Sequence, residues 1–180
     1  MGKVDVGFSD YLKETNEVMG RDGILLVSRA PDGKPNAMTI GWGTAGIIWG
    51  RPVFVVLVRP SRYTYACLEK TPEFTINVQT PDMAKVAEFC GTESGRGVDK
   101  FAKLGLTALP SAHVAPALIG ECAIHYECRV IHRNDVIPDE LAREIIPEYY
   151  PSGDFHRVYF GEILRTCIDE EKIGALKIQG

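Results

Sequence analysis

Asn36 to Thr64 reads NAMTIGWGTAGIIWGRPVFVVLVRPSRYT, and its second half decides the fold. Val53-Phe-Val-Val-Leu-Val58 is apolar, rich in β-branched residues and too short for a helix of that composition, so it predicts a buried strand. The run stops at Arg59-Pro60-Ser61-Arg62-Tyr63-Thr64, where Tyr63, Ala66, Cys67 and Lys70 begin a helical pattern. Two guanidiniums and the hydroxyls of Ser61 and Thr64 therefore fall where a strand passes into a helix. Backbone N–H groups at a helix start lack intrahelical partners and carry partial positive charge. With planar, permanently charged arginine forks beside them, they make a candidate phosphate cradle. The plainer alternative is a helix cap at Ser61 with solvated arginines.

The first half of the stretch imitates a dinucleotide-binding loop. Gly41-Trp42-Gly43-Thr44-Ala45-Gly46 fits G-x-G-x-x-G. That fingerprint needs a strand before it, a helix after it and an acid about 20 residues on. Ile47-Ile48-Trp49-Gly50-Arg51-Pro52 follows instead and leads into another strand, and Glu69 lies on the wrong element. The glycines are expected to let a ligand or a second backbone approach a strand, or to permit bulges.

Outward from this stretch the chain alternates strands with short helices. Ser9 is expected to cap a helix over Asp10 to Met19, closed by Gly20. Ile24 to Ser28 predicts a strand, Ala30 to Pro35 a turn signalled by Asp32-Gly33, and Asn36 to Thr44 a second strand pairing back. Val53 to Val58 is the third strand and, past Pro72, Glu73 to Val78 the fourth. Thr80-Pro81-Asp82 starts a helix whose apolar stripe is Met83, Val86, Ala87 and Cys90, with Gly91 as its end. Val98 to Leu104 predicts a short helix stopped by Gly105, and Pro110 to Pro116 a loop. In Glu121 to Ile131, Cys122, Ile124, Tyr126, Cys128 and Val130 take one face; Glu121, Ala123, His125, Glu127 and Arg129 take the other. That alternation predicts one buried face and one wet face. Pro138 to Tyr150 looks like an insertion, helical through Leu141, Ala142 and Ile145, on the surface near the site. Phe155 to Leu164 is the last strong strand, with a short one expected near Ala175 to Ile178. Consecutive strands without regular crossovers predict an antiparallel barrel, mainly β with short helices, in one domain over residues 1–180.

Composition narrows the class. The 180 residues, 45 % of them apolar, suffice for one domain with a real core. A net charge of −4 argues against a generic nucleic-acid or anionic-membrane surface. Asp5, Asp10, Lys13, Glu14 and Glu17 leave no apolar signal core in the first residues, and no apolar run is long enough to span a bilayer. The expectation is a soluble, cytoplasmic protein. Cys67, Cys90, Cys122, Cys128 and Cys167 form no C-x-x-C pair and suggest reduced thiols. His113, His125, His132 and His156 show no zinc spacing with them, so no metal is expected.

Asn36-Ala-Met-Thr39, the Trp-containing glycine-rich segment after it and Arg59-Pro-Ser-Arg-Tyr-Thr64 together resemble the flavin reductase-like, FMN-binding split-barrel family, most closely its flavoredoxin-type members. Glu73-Phe-Thr-Ile-Asn77-Val, Cys90-Gly-Thr-Glu-Ser-Gly-Arg-Gly-Val-Asp-Lys-Phe101 and His156-Arg-Val-Tyr-Phe-Gly-Glu162 continue the resemblance in the family's order, over roughly residues 20 to 165. The resemblance implies a Greek-key split barrel, usually a homodimer with flavin near the interface. It implies FMN, with FAD as an alternative, and NAD(P)H as co-substrate.

The resemblance also assigns residues. Asn36, Met38, Thr39, Gly41 and Trp42 would run along the isoalloxazine, and Ser61, Arg62 and Thr64, with Arg59 adjacent, would hold the phosphate. Asn77 would make a ribityl or ring contact. Ser94, Arg96, Lys100 and Phe101 would form a loop reaching the flavin, often from the partner subunit. His156 would lie near the flavin or nicotinamide face, where a pKa near neutrality suits a hydrogen-bond donor. A flavin carries its own hydride chemistry, so the lack of a Ser-His-Asp pattern around Ser61 is consistent. The implied activity is NAD(P)H-dependent flavin reduction with onward transfer to a second flavin, an Fe(III) complex or a redox protein. Two other readings stay open: an FMN-binding electron carrier without a nicotinamide site, and a barrel that has lost flavin and serves as an interaction module.

Overall fold

A computed structural model of the chain describes residues 3–176. In chain order it contains β1 (Val4–Asp5), α1 (Leu12–Asp22), β2 (Ile24–Arg29), β3 (Pro35–Ile40), β4 (Gly43–Ile48), β5 (Arg51–Val58), α2 (Tyr63–Lys70) and β6 (Glu73–Val78). A 3-10 turn at Pro81–Met83 leads into α3 (Ala84–Thr92), followed by α4 (Lys100–Leu104), β7 (Ala108–Leu109), β8 (Leu118–Ile119) and β9 (Ile124–Asp135). A second 3-10 turn, Pro138–Glu140, precedes α5 (Ile145–Tyr149); β10 (Arg157–Ile168) and a 3-10 turn at Ile173–Leu176 complete the described chain.

The order of these strands explains why the sheet closes. The main sheet runs β3-β2-β6-β9-β10-β5-β4, with β1 paired to β10, and each pairing is antiparallel. Its two edge strands, β3 and β4, are consecutive in the chain and separated by Gly41 and Trp42 alone. A sheet whose edges share a two-residue link must curl until those edges meet. They meet at that end, where β3 also touches β5, yet no ladder joins β3 to β4. The result is a split antiparallel β-barrel, with β6 returning beside β2 in Greek-key fashion.

Two apolar layers fill the fold. Inside the barrel, Leu26, Phe54, Val56, Phe74, Ile76, Tyr126 and Tyr159 are buried together, and Val18 and Met19 of α1 close one end. The Tyr126 hydroxyl meets Thr15 Oγ1 at 2.9 Å, and Thr15 in turn donates to the Tyr11 carbonyl. A second layer lies outside, where Leu25, Val27 and Ala37 pack under Met83, Cys90 and Phe101. The strand β2 is therefore buried on both faces, which is why its sequence is continuously apolar rather than alternating. Gly161 allows the close approach of β10 to β6: a Cβ there would lie 2.5 Å from the Phe74 ring. All five cysteines are buried free thiols.

Several expectations need correction. The segment Asn36–Thr44 is not one strand; it breaks at Gly41-Trp42 to turn the corner between the barrel's edges. Ser9 does not cap α1, which starts at Leu12, passes through Gly20 and ends at Gly23 with φ 75°. Gly91 likewise lies inside α3. The face of β9 expected to be wet is wet only from Arg129 onward: Ala123 packs into the barrel core, and His125 and Glu127 are fully buried under the 105–120 excursion. Leu141 and Ala142 are not helical; the insertion holds the short α5 instead. Of the short strand expected at 175–178, Ala175 and Leu176 are in a 3-10 turn and the rest falls outside the described residues.

Glu127 shows how a buried charge replaces local regularity. Its carboxylate accepts from the backbone N–H groups of Ala112 and His113 and from Arg165 Nη1, with distances of 2.7 to 3.1 Å. Arg165 Nε donates onward to Asp5 at 2.7 Å. An excursion with little secondary structure of its own is thereby pinned to β9. Asn77 does a similar task, accepting from the Ile119 N–H and lying 2.9 Å from His125 Nδ1.

Candidate functional site

The seam between β3 and β4 opens onto a cleft. A cavity of about 170 Å³ lies there. Met38, Ile40 and Leu57 give it apolar walls, Trp42 and His156 an aromatic one, and Arg59 and Arg62 its charge; Thr39 and Gly41 complete it. A second cavity of about 320 Å³ shares Met38 and Arg62 with the first and runs on past Asn36, Ser61, Thr64, Ser94, Arg96 and Lys100. The elements explain the convergence. The strand β3 ends at the corner, β5 ends beside it, α2 begins immediately after β5, and His156 sits just before β10, which pairs with β5.

Polar groups at the site fall into two classes. Some are already satisfied inside the protein. Asn36 Nδ2 donates to Thr64 Oγ1 at 2.9 Å and to Ser28 Oγ at 3.1 Å, tying β3 to α2 and β2. Lys100 is buried, and its ammonium donates to the carbonyls of Ala37 and Cys90 at 2.8 and 2.7 Å. Burial lowers its pKa, with the guanidinium of Arg62 adding to the effect and Cys90 and Glu93 opposing it. Thr39 Oγ1 donates to the Ala87 carbonyl, and Ser94 Oγ accepts from the Arg96 N–H. Ser61 gives both its hydroxyl and its N–H to the Asp154 carboxylate, at 2.6 and 3.2 Å. Asp154 reaches it from a left-handed backbone position, φ 59°, directly after Gly153.

Arg62 belongs to the other class. It is exposed, stands at the N-cap of α2 and lines both cavities, and its guanidinium has no hydrogen bond or ion pair among the described residues. Glu93 is the one acid lining either cavity among the described residues. Arg96 donates to the Ser61 carbonyl and lies 5.5 Å above the Tyr63 ring. A flat ring system bearing an anionic group suits this donor set: apolar and aromatic walls at one end, uncompensated guanidinium charge where the cavities join.

Asn77 and Phe101 do not reach the cleft. Asn77 is fully buried beneath β8, with its amide spent on Thr75, Ile119 and His125. Phe101 belongs to the outer apolar layer. The insertion over 138–150, expected on the surface near the site, does reach it, although none of its residues was assigned a contact. Tyr149, Tyr150 and Phe155 fold back from the segment between β9 and β10, and Trp42 meets Tyr149 edge-on at 5.1 Å. The Tyr149-Tyr150 doublet beside Phe155 and His156 was the available signal, but nothing local says where a loop of that kind folds back.

His156 is buried, and Tyr150 Oη lies 2.8 Å from its Nδ1. Burial pushes its pKa down from 6.5 to about 4; Arg59 and, less strongly, Arg62 add to this, while Asp154 opposes it. At pH 7 the ring is neutral. Below pH 6.5 the unfolded chain binds a proton that the folded chain refuses. The stability tied to this group is thus complete above pH 6.5 and falls as the pH drops toward 4. The expected slope is about 1.4 kcal/mol per pH unit, so urea unfolding should lose about 2 kcal/mol between pH 7 and pH 5 from this group. His156→Gln should remove that share. An unchanged slope in the variant contradicts the assignment.

A family model described as the flavin reductase like domain matches residues 20–177. A protein of Archaeoglobus fulgidus is 31 % identical over 133 residues, which cover 74 % of this chain and 65 % of that protein, so the chain spans just under two thirds of this relative's length. The reductase component of 4-nitrophenol 4-monooxygenase/4-nitrocatechol 2-monooxygenase from Rhodococcus opacus is 28 % identical over 155 residues, covering 85 % of this chain and 70 % of its own. The solved flavoredoxin of Desulfovibrio vulgaris superposes with a TM-score of 0.67 at 27 % identity, over 83 % of this chain and 70 % of that one.

Proposed function

The chain belongs to the flavin reductase-like family, and on that premise we propose that it is an FMN-binding oxidoreductase, with FAD as an alternative cofactor. It would take reducing equivalents from NAD(P)H and pass them to a second flavin, an Fe(III) complex or a redox protein. The observation that carries this reading is the seam cleft itself, where the guanidinium of Arg62, unpartnered among the described residues, joins a cavity walled by Met38, Trp42 and the neutral His156 to a second one that shares Met38. The bound flavin would supply the hydride-accepting and electron-relaying chemistry. The protein's part is to bind, orient and exclude water. Arg62 and Arg96 hold the phosphate, Met38, Ile40 and Leu57 cover the ring, and His156 donates from the aromatic wall. Kinship with a reductase component supports the nicotinamide-dependent reading.

Kinship with a flavoredoxin supports a second reading, an FMN-binding electron carrier reduced by a partner protein. We place the protein in the cytoplasm; among the described residues no helix is long and apolar enough to cross a membrane. We further propose a homodimer. The β4–β5 hairpin turns at Trp49-Gly50, both at positive φ (53° and 70°), and a bulky ring in that conformation is strained. Trp49, 62 % exposed, packs on His132 and Phe160, and Ile47 two residues before it is exposed as well, an apolar face suited to a second copy.

One experiment tests both points. Sedimentation of the protein mixed with FMN, followed in the visible, should show flavin moving with two chains, and NADH or NADPH should then bleach it rapidly. Flavin that sediments freely contradicts the function. Bound flavin that ignores both nicotinamides selects the carrier, and a one-chain mass contradicts the dimer.

A further inference from the structure

We infer that Tyr150 is a positioning residue: its phenol fixes the tautomer of His156 and leaves Nε2–H as that ring's one donor to a ligand in the cleft. The inference rests on the reading of the cleft as a flavin and nicotinamide site, but its geometry belongs to this chain's own segment between β9 and β10. Tyr150 is buried, and the one side-chain partner of its hydroxyl among the described residues is His156 Nδ1, 2.8 Å away; the phenol oxygen also accepts from the backbone N–H of His156, which leaves its hydrogen for that nitrogen. The phenolic hydrogen therefore goes to Nδ1. A nitrogen that accepts carries no hydrogen, so the proton of the neutral ring is on Nε2. His156 lines the cleft, and its Nε2 has no partner among the described residues.

The rings hold the arrangement in place. Tyr150 meets His156 edge-on, with centroids 5.5 Å apart, and Trp42 lies 4.9 Å from the imidazole. Phe155 stacks on Tyr150 at 4.5 Å and 21°, and the Arg59 guanidinium sits 5.0 Å above the Tyr150 ring. Arg59 also donates to the carbonyls of Tyr149 and Asp154, at 2.8 and 3.1 Å. The segment that carries Tyr150 is thus fastened by Arg59, a residue that itself lines the cleft.

The charged groups acting on His156 agree with a neutral donor. Arg59 and Arg62 act on it from the end of β5 and the start of α2, and Asp154 from its own segment. Two cations against one carboxylate disfavour an imidazolium. A neutral Nε2–H can donate to a carbonyl oxygen or ring nitrogen of a bound heterocycle without bringing a charge of its own. Removing the Tyr150 hydroxyl frees Nδ1 to take the proton, so the ring would present either nitrogen and protonate more readily.

Nitrogen-15 NMR of histidine-labelled, flavin-free protein tests this. The wild type should show His156 as the Nε2–H tautomer and neutral at pH 7. Tyr150→Phe keeps the ring and its stacking; it should show mixed tautomers and a His156 pKa raised by about one unit. At saturating FMN, the same variant should slow reduction by NAD(P)H roughly 10- to 100-fold, as expected when a residue orienting a functional histidine is lost. A wild-type spectrum with the proton on Nδ1, or with both tautomers equal, overturns the inference even if the variant fails to fold. An unmoved tautomer in Tyr150→Phe overturns it too. A fixed tautomer in a protein that binds no flavin would instead defeat the functional reading and leave the Tyr150–His156 geometry standing.

Discussion

Glu127→Ala is expected to lower the unfolding free energy by about 3–5 kcal/mol, the usual scale for breaking a buried charge pair by removing one partner. The carboxylate is fully buried and serves three donors at once. Truncation releases the N–H groups of Ala112 and His113, both in exposed residues, to water, so the main cost is the charge left on Arg165. It also leaves Arg165 with Asp5 alone, whose side chain is 71 % exposed. Glu127→Gln keeps an acceptor oxygen in place and should cost less. Urea unfolding at pH 7 measures both. Hydrogen exchange should show the 105–120 excursion loosening before the barrel does. A loss below about 1 kcal/mol for the alanine variant would mean that the excursion is held by its apolar contacts and not by this carboxylate.

Arg62→Ala should weaken FMN binding about 30-fold, or about 2 kcal/mol, the scale of a charge-assisted hydrogen bond to phosphate. Riboflavin, which lacks the phosphate, should bind the variant and the wild type alike. The guanidinium of Arg62 has no internal partner among the described residues, so removing it orphans nothing, and stability should stay within about 0.5 kcal/mol. Arg62→Lys should recover only part of the loss, since an ammonium is a point charge and not a fork. The contrast matters because Ser61, the other obvious phosphate ligand, already gives both of its donors to Asp154. Fluorescence titration with the two flavins decides the matter. Equal losses for both would place Arg62 against the ring and not the phosphate.

Much of this fold was legible because local signals and tertiary demands coincide. The helix α2 and the strand β6 lie where Tyr63 to Lys70 and Glu73 to Val78 predicted them, since each has clear breakers or a strand-to-helix change at its ends. The break at Gly41-Trp42 was not legible as a corner. Alternation continues through it, and only the meeting of two sheet edges requires the turn. The strand β9 misled for the opposite reason. His125 and Glu127 are polar residues on a face that reads as solvated, and the excursion just before the strand folds back to cover it. Asn77 is taken up by the same excursion: its amide oxygen accepts from the Ile119 N–H. At the cleft, Met38, Trp42, Arg59, Arg62 and His156 do converge. Lys100 lines the cleft as expected, but its charge is spent on two carbonyls, which no spacing rule could foresee.

The segment carrying Tyr150 leaves and rejoins the sheet at one rung. Asp135 and Arg157 face each other at the end of the β9–β10 ladder, locked by two hydrogen bonds of 2.7 and 3.0 Å. Everything between them can change length without shifting the register of a single strand, and doubling such a loop costs only about 0.6 kcal/mol in closure entropy. That makes residues 136–156 a cassette in the evolutionary sense. Exchanging it would replace Tyr149, Tyr150 and Asp154 together and reshape the wall over the ring pocket. The barrel and Arg62 would be inherited unchanged. Diversification of this chain's descendants should therefore be concentrated in one contiguous stretch of the gene, and a new preference could be acquired in a single recombination.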